Sequence, residues 1–234
     1  METKIFMARV ADQAERYEDM VTFLQEIMTE ATEDVSVDVR NLLSVGFKNL
    51  IGSRRAAWRT VSAIEQNKKY EQYSGDCAEY KAKIETELAE KCEYIIKIVE
   101  EQAFVKATSA ESKTFYLKMI GDYYRYIAEC TSGDKLSAVT EKADEFYGKA
   151  TTEAKELPTY NSTRLGLALN FSVFHYELRN DSKKACELAQ EALDGARADI
   201  ESMDNEDAKD AISIVELLKE NLDLWKEAEG EGDE

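Results

Sequence analysis

Apolar residues recur along the chain at helical spacing with few interruptions. Val10, Ala14 and Tyr17 fall at i, i+4 and i+7. Leu43, Phe47, Leu50 and Ile51 form a second stripe, and Leu88, Cys92, Ile95, Ile96 and Val99 a third. The breaks are short and polar. They fall near Tyr17 and at 33–36 (EDVS), 73–76 (YSGD), 107–112 (ATSAES), 131–134 (TSGD), 157–162 (LPTYNS), 180–182 (NDS) and 203–207 (MDNED). Many offer Ser, Thr, Asn or Asp as a helix N-cap. The pattern predicts roughly nine helices. Two are long, at about 36–67 and 75–105, and each spans about 45 Å at ~1.5 Å per residue. Short loops make sequential neighbours antiparallel.

Composition supports an all-α fold. The 234 residues are 44% hydrophobic and 33% charged, the balance of a folded chain. One proline, Pro158, and 10 glycines supply little turn chemistry for a sheet, while helix formers are plentiful. We expect a single domain over residues 1–227 and a disordered acidic tail, AEGEGDE, over 228–234. No period near that of known helical repeats is evident. Antiparallel helix pairs nevertheless make a tetratricopeptide-like scaffold for unmodified peptides the alternative reading.

Charge narrows the partners. A formal net charge of −18 disfavours nucleic acid and anionic membranes, both polyanions. The four cysteines are widely spaced, and the only histidine is His175. That argues against zinc and against a disulfide framework, and suits reduced thiols. No stretch has the length of a signal peptide or of a membrane span, so the cytoplasm is expected, with the nucleus as a second location. No phosphate loop, nucleophile elbow or metal motif occurs. The sequence thus points to no enzyme, cofactor or metal.

Against that acidity, the segment Asn41–Arg59 holds Lys48, Arg54, Arg55 and Arg59, and no acid lies between Asp38 and Glu65. Lys48, Arg55 and Arg59 share one helical face. They form either a solvated basic stripe or an anion site. Lys118, Asp122 and Arg125, spaced i, i+4 and i+7, line another face, with Tyr126 adjacent; an internal ion pair of Asp122 with Lys118 or Arg125 weighs evenly against a ligand role. Two further stripes mix apolar and amide groups. One is Leu169, Val173 and Glu177 with Asn170 alongside; the other is Ile214, Leu217, Asn221 and Trp225. A mid-helix Asn is disfavoured by propensity and needs partners if buried. It is either a satisfied core amide or a clamp for an extended peptide. Together the four stripes describe an amphipathic groove with a cationic and an apolar wall. His175 reads as a packed side chain.

Several long segments carry a resemblance to a known family. ADQAERYEDM, RNLLSVGFKNLIGSRRAAWR, ESKTFYLKMIGDYYRYIAE, RLGLALNFSVF and LLKENLDLW, in that order, resemble the 14-3-3 proteins over nearly the whole chain. The resemblance implies nine antiparallel helices, a cup-shaped homodimer or heterodimer, and a groove for phosphoserine or phosphothreonine motifs of client proteins. Lys48, Arg55, Arg125 and Tyr126 become the phosphate pocket, bordered by Lys118. Asn170 and Asn221 become ligand-backbone partners. Leu169, Val173, Ile214 and Leu217 form the apolar wall, and Glu177 and Trp225 add polar contacts. Three cations held together without their anion are costly, so an empty pocket is expected to be wet or to hold a bound anion.

The resemblance also implies the dimer contact. Val10, Ala14, Tyr17, Ala57, Val61 and Tyr80 supply apolar surface there. Arg16 is expected to pair with Glu87, and Asp19 with Lys83, across the interface. Three departures stand out. Ala57 replaces a phosphorylatable serine common among animal relatives, so that dissociation switch is expected to be absent. Ser213 stands in place of a groove aliphatic. Ile120 stands in place of a commonly basic residue, which is expected to lower the positive potential of the groove.

Overall fold

The computed structural model describes residues 1–200 and 209–230; the break expected at 203–207 and tail residues 231–234 lie outside them. The described residues hold nine α-helices and no strand. These are α1 (Glu2–Gln13), α2 (Tyr17–Glu30), α3 (Val37–Glu65), α4 (Ser74–Ile98), α5 (Ala110–Glu129), α6 (Gly133–Ala154), α7 (Ser162–Glu177), α8 (Ser182–Ile200) and α9 (Lys209–Gly230). The all-α expectation holds. Helix α9 runs on through 228–230, where the sequence suggested that the tail begins.

The polar breaks do the capping that their composition suggests. The Ser36 hydroxyl accepts the Val39 N–H at the start of α3. Ser109 Oγ accepts the Ser112 N–H at 3.1 Å ahead of α5. Asn161 Oδ1 accepts from both Thr163 and Arg164, at 3.0 and 3.1 Å, and opens α7. Asp181 Oδ1 accepts the Lys184 N–H at 2.9 Å and opens α8. Each satisfies N–H groups that a helix leaves without partners.

The second long helix is shorter than its pattern. Regular α4 stops at Ile98, and the chain continues through a π-turn (Val99–Ala103) and a 3-10 turn (Phe104–Lys106). This change of winding brings side chains to the end of α2. Gln102 Oε1 accepts from Thr29 Oγ1 at 3.0 Å, and the Lys106 ammonium donates to the Met28 carbonyl. A cation on a C-terminal carbonyl also meets the negative end of the helix dipole.

The chain divides into two compact units. The first comprises Met1–Thr108 and Tyr123–Val139; the second comprises Ser109–Asp122 and the residues from Thr140 onward. In the first, α1 packs on α2, α2 on α3 and α3 on α4. Leu24, Ile27, Leu43, Phe47, Ile51, Leu88 and Ile95 are fully buried there. Gly46 sets the α2–α3 approach, because a β-carbon would lie 2.9 Å from Leu24 Cδ1. Burial is uneven. The buried residues of α3 end at Ile51, and those of α4 begin at Ile84. Helix α1 buries only Ala8 and Ala11. Phe6 is 64% exposed, Val10 41% and Tyr80 56%. Between these regions Trp58 is half-buried, and its indole N–H donates to Glu85 Oε1 at 2.9 Å.

In the second unit α7, α8 and α9 pack mutually. Ala185, Ala189 and Ala196 of α8 meet Leu165, Leu218, Leu222 and Trp225 in one core cluster. Tyr147 and Phe171 stack, with ring centroids 5.2 Å apart. Gly121 gives Tyr147 its place, since a β-carbon there would lie 2.9 Å from the ring.

Candidate functional site

Helix α3 and the C-terminal half of α5 bring the basic residues of the first unit together. Arg55 grips Glu129 by its fork, with Nε to Oε2 at 3.2 Å and Nη2 to Oε1 and Oε2 at 2.9 and 2.7 Å. Arg125, one turn before Glu129 on α5, donates from Nη1 to Oε1 at 3.1 Å. Arg59 approaches the same carboxylate at 3.6 Å. Both arginines also lie over Tyr126: Cζ of Arg55 is 4.0 Å and that of Arg125 4.6 Å from the ring centroid. Cations over an aromatic face gain from its quadrupole. The ring is braced in turn, edge-on to Tyr123, which is edge-on to buried Phe47. An aromatic series therefore runs from the core of the unit to its cationic cluster.

Exposure grades across the cluster. The Arg125 side chain is 8% exposed, Arg55 22% and Arg59 64%. Lys48 is exposed, on the face that its seven-residue spacing shares with Arg55. The sequence expectation of unneutralised cations needs correcting. The counter-charge is Glu129, 74 residues from Arg55. Its signal was present in the i, i+4 spacing to Arg125. Arg54, the remaining cation of that segment, belongs elsewhere: it pairs with Glu18 at 3.3 Å and Glu87 at 3.8 Å. Cys130 follows Glu129 directly. Burial pushes its thiol up to about 11 and raises that of Cys92 further, so neither is a nucleophile near neutral pH.

The second unit holds the remaining candidates. The Lys118 ammonium donates to Asp122 Oδ2 at 2.9 Å, which is the internal pair weighed above. Asp122 Oδ1 accepts from the Tyr147 hydroxyl at 2.6 Å and from Asn170 Nδ2 at 2.8 Å. Asn170 is thus a half-buried amide with a carboxylate partner. Leu169, Val173 and Ile214 are half-buried against the α7–α9 core, and Leu217 is 48% exposed. Asn221 is half-buried and Glu177 exposed. Trp225 is 6% exposed and stacks on Tyr176 at 4.9 Å, so its ring packs against the core. Ile120 is fully buried, which removes it from any groove potential. Ser213 is exposed, and its hydroxyl donates to the Lys209 carbonyl at 3.2 Å. His175 packs on Phe171, ring centroids 4.7 Å apart, and burial lowers its pKa.

The residues assigned to a dimer contact lie in the first unit. Val10, Ala14 and Tyr80 are exposed, and Tyr17, Ala57 and Val61 half-buried. Within the protomer Arg16 pairs with Asp19, and Glu87 with Arg54. Lys83 is exposed.

Comparison with known proteins gives a consistent result. The profile described as 14-3-3 protein matches residues 7–226. The 14-3-3-like protein GF14-F of Oryza sativa subsp. japonica is 46% identical, over 100% of this chain and 92% of its own length. The 14-3-3-like protein A of Hordeum vulgare is likewise 46% identical. The 14-3-3 protein 2 of Entamoeba histolytica is 45% identical, over 96% of this chain and 95% of its own.

Proposed function

The chain belongs to the 14-3-3 protein family, and from that premise we propose that it is a dimeric adaptor for phosphoserine and phosphothreonine motifs of client proteins. It acts by masking, clamping or bridging them, without chemistry of its own. One observation carries the reading: Arg55 and Arg125 converge on one carboxylate over one tyrosine ring. Two planar guanidiniums held together match the tetrahedral oxygens of a phosphate dianion. Lys48 adds a point charge and Tyr126 a hydroxyl donor. In the second unit, Asn170 and Asn221 serve a ligand backbone and Leu169, Val173, Ile214 and Leu217 its apolar side chains, with Lys118, Glu177 and Trp225 around them.

Dimerisation is supported by the uncovered apolar surface of α1 and the sparse burial in the facing halves of α3 and α4. Apolar burial there contributes more than exposed ion pairs, which are worth ~0–1 kcal/mol each. The Arg16–Glu87 and Asp19–Lys83 pairs require exchange of the protomer pairs described above. Two linked sites bind a doubly phosphorylated client more tightly than one.

The test is fluorescence titration with a phosphoserine peptide and its unphosphorylated twin. Tight binding of the first alone is expected; equal affinities overturn the reading.

A further inference from the structure

We propose that Glu129 is a positioning residue of the anion pocket: a built-in carboxylate that holds Arg55 and Arg125 ready for phosphate, so that removing this negative charge weakens phosphate binding. The inference rests on the phosphopeptide reading and sharpens it.

Electrostatics alone gives the opposite sign. Glu129 lies among the cations that a phosphate would meet, and a like charge repels the ligand. A phosphate site stripped of its carboxylate should then bind better. The geometry argues against that outcome. Glu129 accepts three bonds from Arg55 and one from Arg125, and it is 15% exposed. The two guanidiniums lie over the same ring. Without an anion between them they repel each other and seek separate solvation. A phosphate would then have to gather them, losing side-chain freedom at the moment of binding. With Glu129 present that ordering is complete beforehand. Its bonds to Arg55 use Nε and Nη2 and none from Nη1, and a guanidinium carries five N–H donors.

The same geometry defines what Glu129 acts through. Its fork contact requires a guanidinium. A lysine at position 55 offers a point charge that a carboxylate cannot align. The effect of Glu129 on phosphate binding should therefore shrink to the part carried through Arg125 when Arg55 is replaced by lysine, whereas a general role in folding should persist in full.

The experiment is a double-mutant cycle. Affinities for a phosphoserine peptide and its unphosphorylated twin are measured for the full chain, Glu129→Gln, Arg55→Lys and the double variant. Glu129→Ala is added where it folds. The glutamine keeps the size and one acceptor, so it decides the matter if the alanine variant does not fold. Glu129→Gln is expected to weaken phosphopeptide binding about 10-fold, but only about 3-fold in the Arg55→Lys background, where Arg125 alone is held. Unchanged or tighter phosphopeptide binding by Glu129→Gln overturns the proposal alone. So does an equal loss in both backgrounds. Failure of the unaltered chain to distinguish the two peptides removes the phosphate reading, and this proposal with it.

Discussion

Asn170 and Asp122, 48 residues apart, are joined by an amide-to-carboxylate hydrogen bond of 2.8 Å, and the same carboxylate oxygen accepts the Tyr147 hydroxyl at 2.6 Å. With Lys118 on its other oxygen, Asp122 fastens α5, α6 and α7 of the second unit at one point. Asp122 is 6% exposed and the Tyr147 ring fully buried. Asp122→Ala leaves the tyrosine hydroxyl and the lysine ammonium without this acceptor and should cost about 3 kcal/mol. Urea denaturation measures it as a lower midpoint. Asn170→Ala, at a half-buried position, should cost about 1 kcal/mol while weakening peptide binding.

Replacing Arg125 by alanine removes one of the two guanidiniums on Glu129 and leaves that carboxylate with less of its counter-charge. Phosphopeptide affinity should fall at least about 10-fold, as expected when a charge-assisted contact is lost. Binding of an unphosphorylated peptide should be unaffected, and polarisation titrations of the pair distinguish the two effects.

The uncovered apolar surface of α1 gives a prediction about mass. Val10 is 41% exposed in the protomer, so Val10→Glu should leave the isolated fold within about 0.5 kcal/mol. Placed in an apolar contact between protomers, the same charge is costly to desolvate. Size-exclusion with light scattering should give twice the chain mass for the original sequence and the single mass for Val10→Glu. Ala57→Asp, at a half-buried position of α3, should act likewise.

Gly121 lies so close to Tyr147 that a methyl group there meets the ring at 2.9 Å. The ring is packed by Phe171 and Phe174, and its hydroxyl is held by Asp122. Overpacking of this kind costs ~1–3 kcal/mol. Thermal unfolding of Gly121→Ala should therefore show a clear loss, larger than the gain in helix propensity of ~1 kcal/mol.

Helix positions were legible because periodicity and capping agree. Ser36, Ser109, Asn161 and Asp181 cap where the breaks suggested. The end of α4 was not legible, because the apolar stripe continues through Val99 while the winding changes beneath it. The cationic cluster was visible residue by residue, and spacing tied Glu129 to Arg125 but not to Arg55. Glu129 becomes a partner of Arg55 only through the packing of α3 on α5, and a search limited to local acids cannot find it. Ile120 lies in the core for a related reason. A helical stripe has two edges, and spacing alone does not say which edge meets the core.

The two tryptophans divide one to each unit: Trp58 in the first, half-buried with its indole on Glu85, and Trp225 in the second, stacked in the apolar core. Each unit thus carries its own intrinsic optical reporter, one in polar surroundings and one in dry. Trp58→Phe leaves a spectrum that follows the second unit alone, and Trp225→Phe one that follows the first. Superimposed melts of the two variants would mark a single cooperative transition, and displaced melts two.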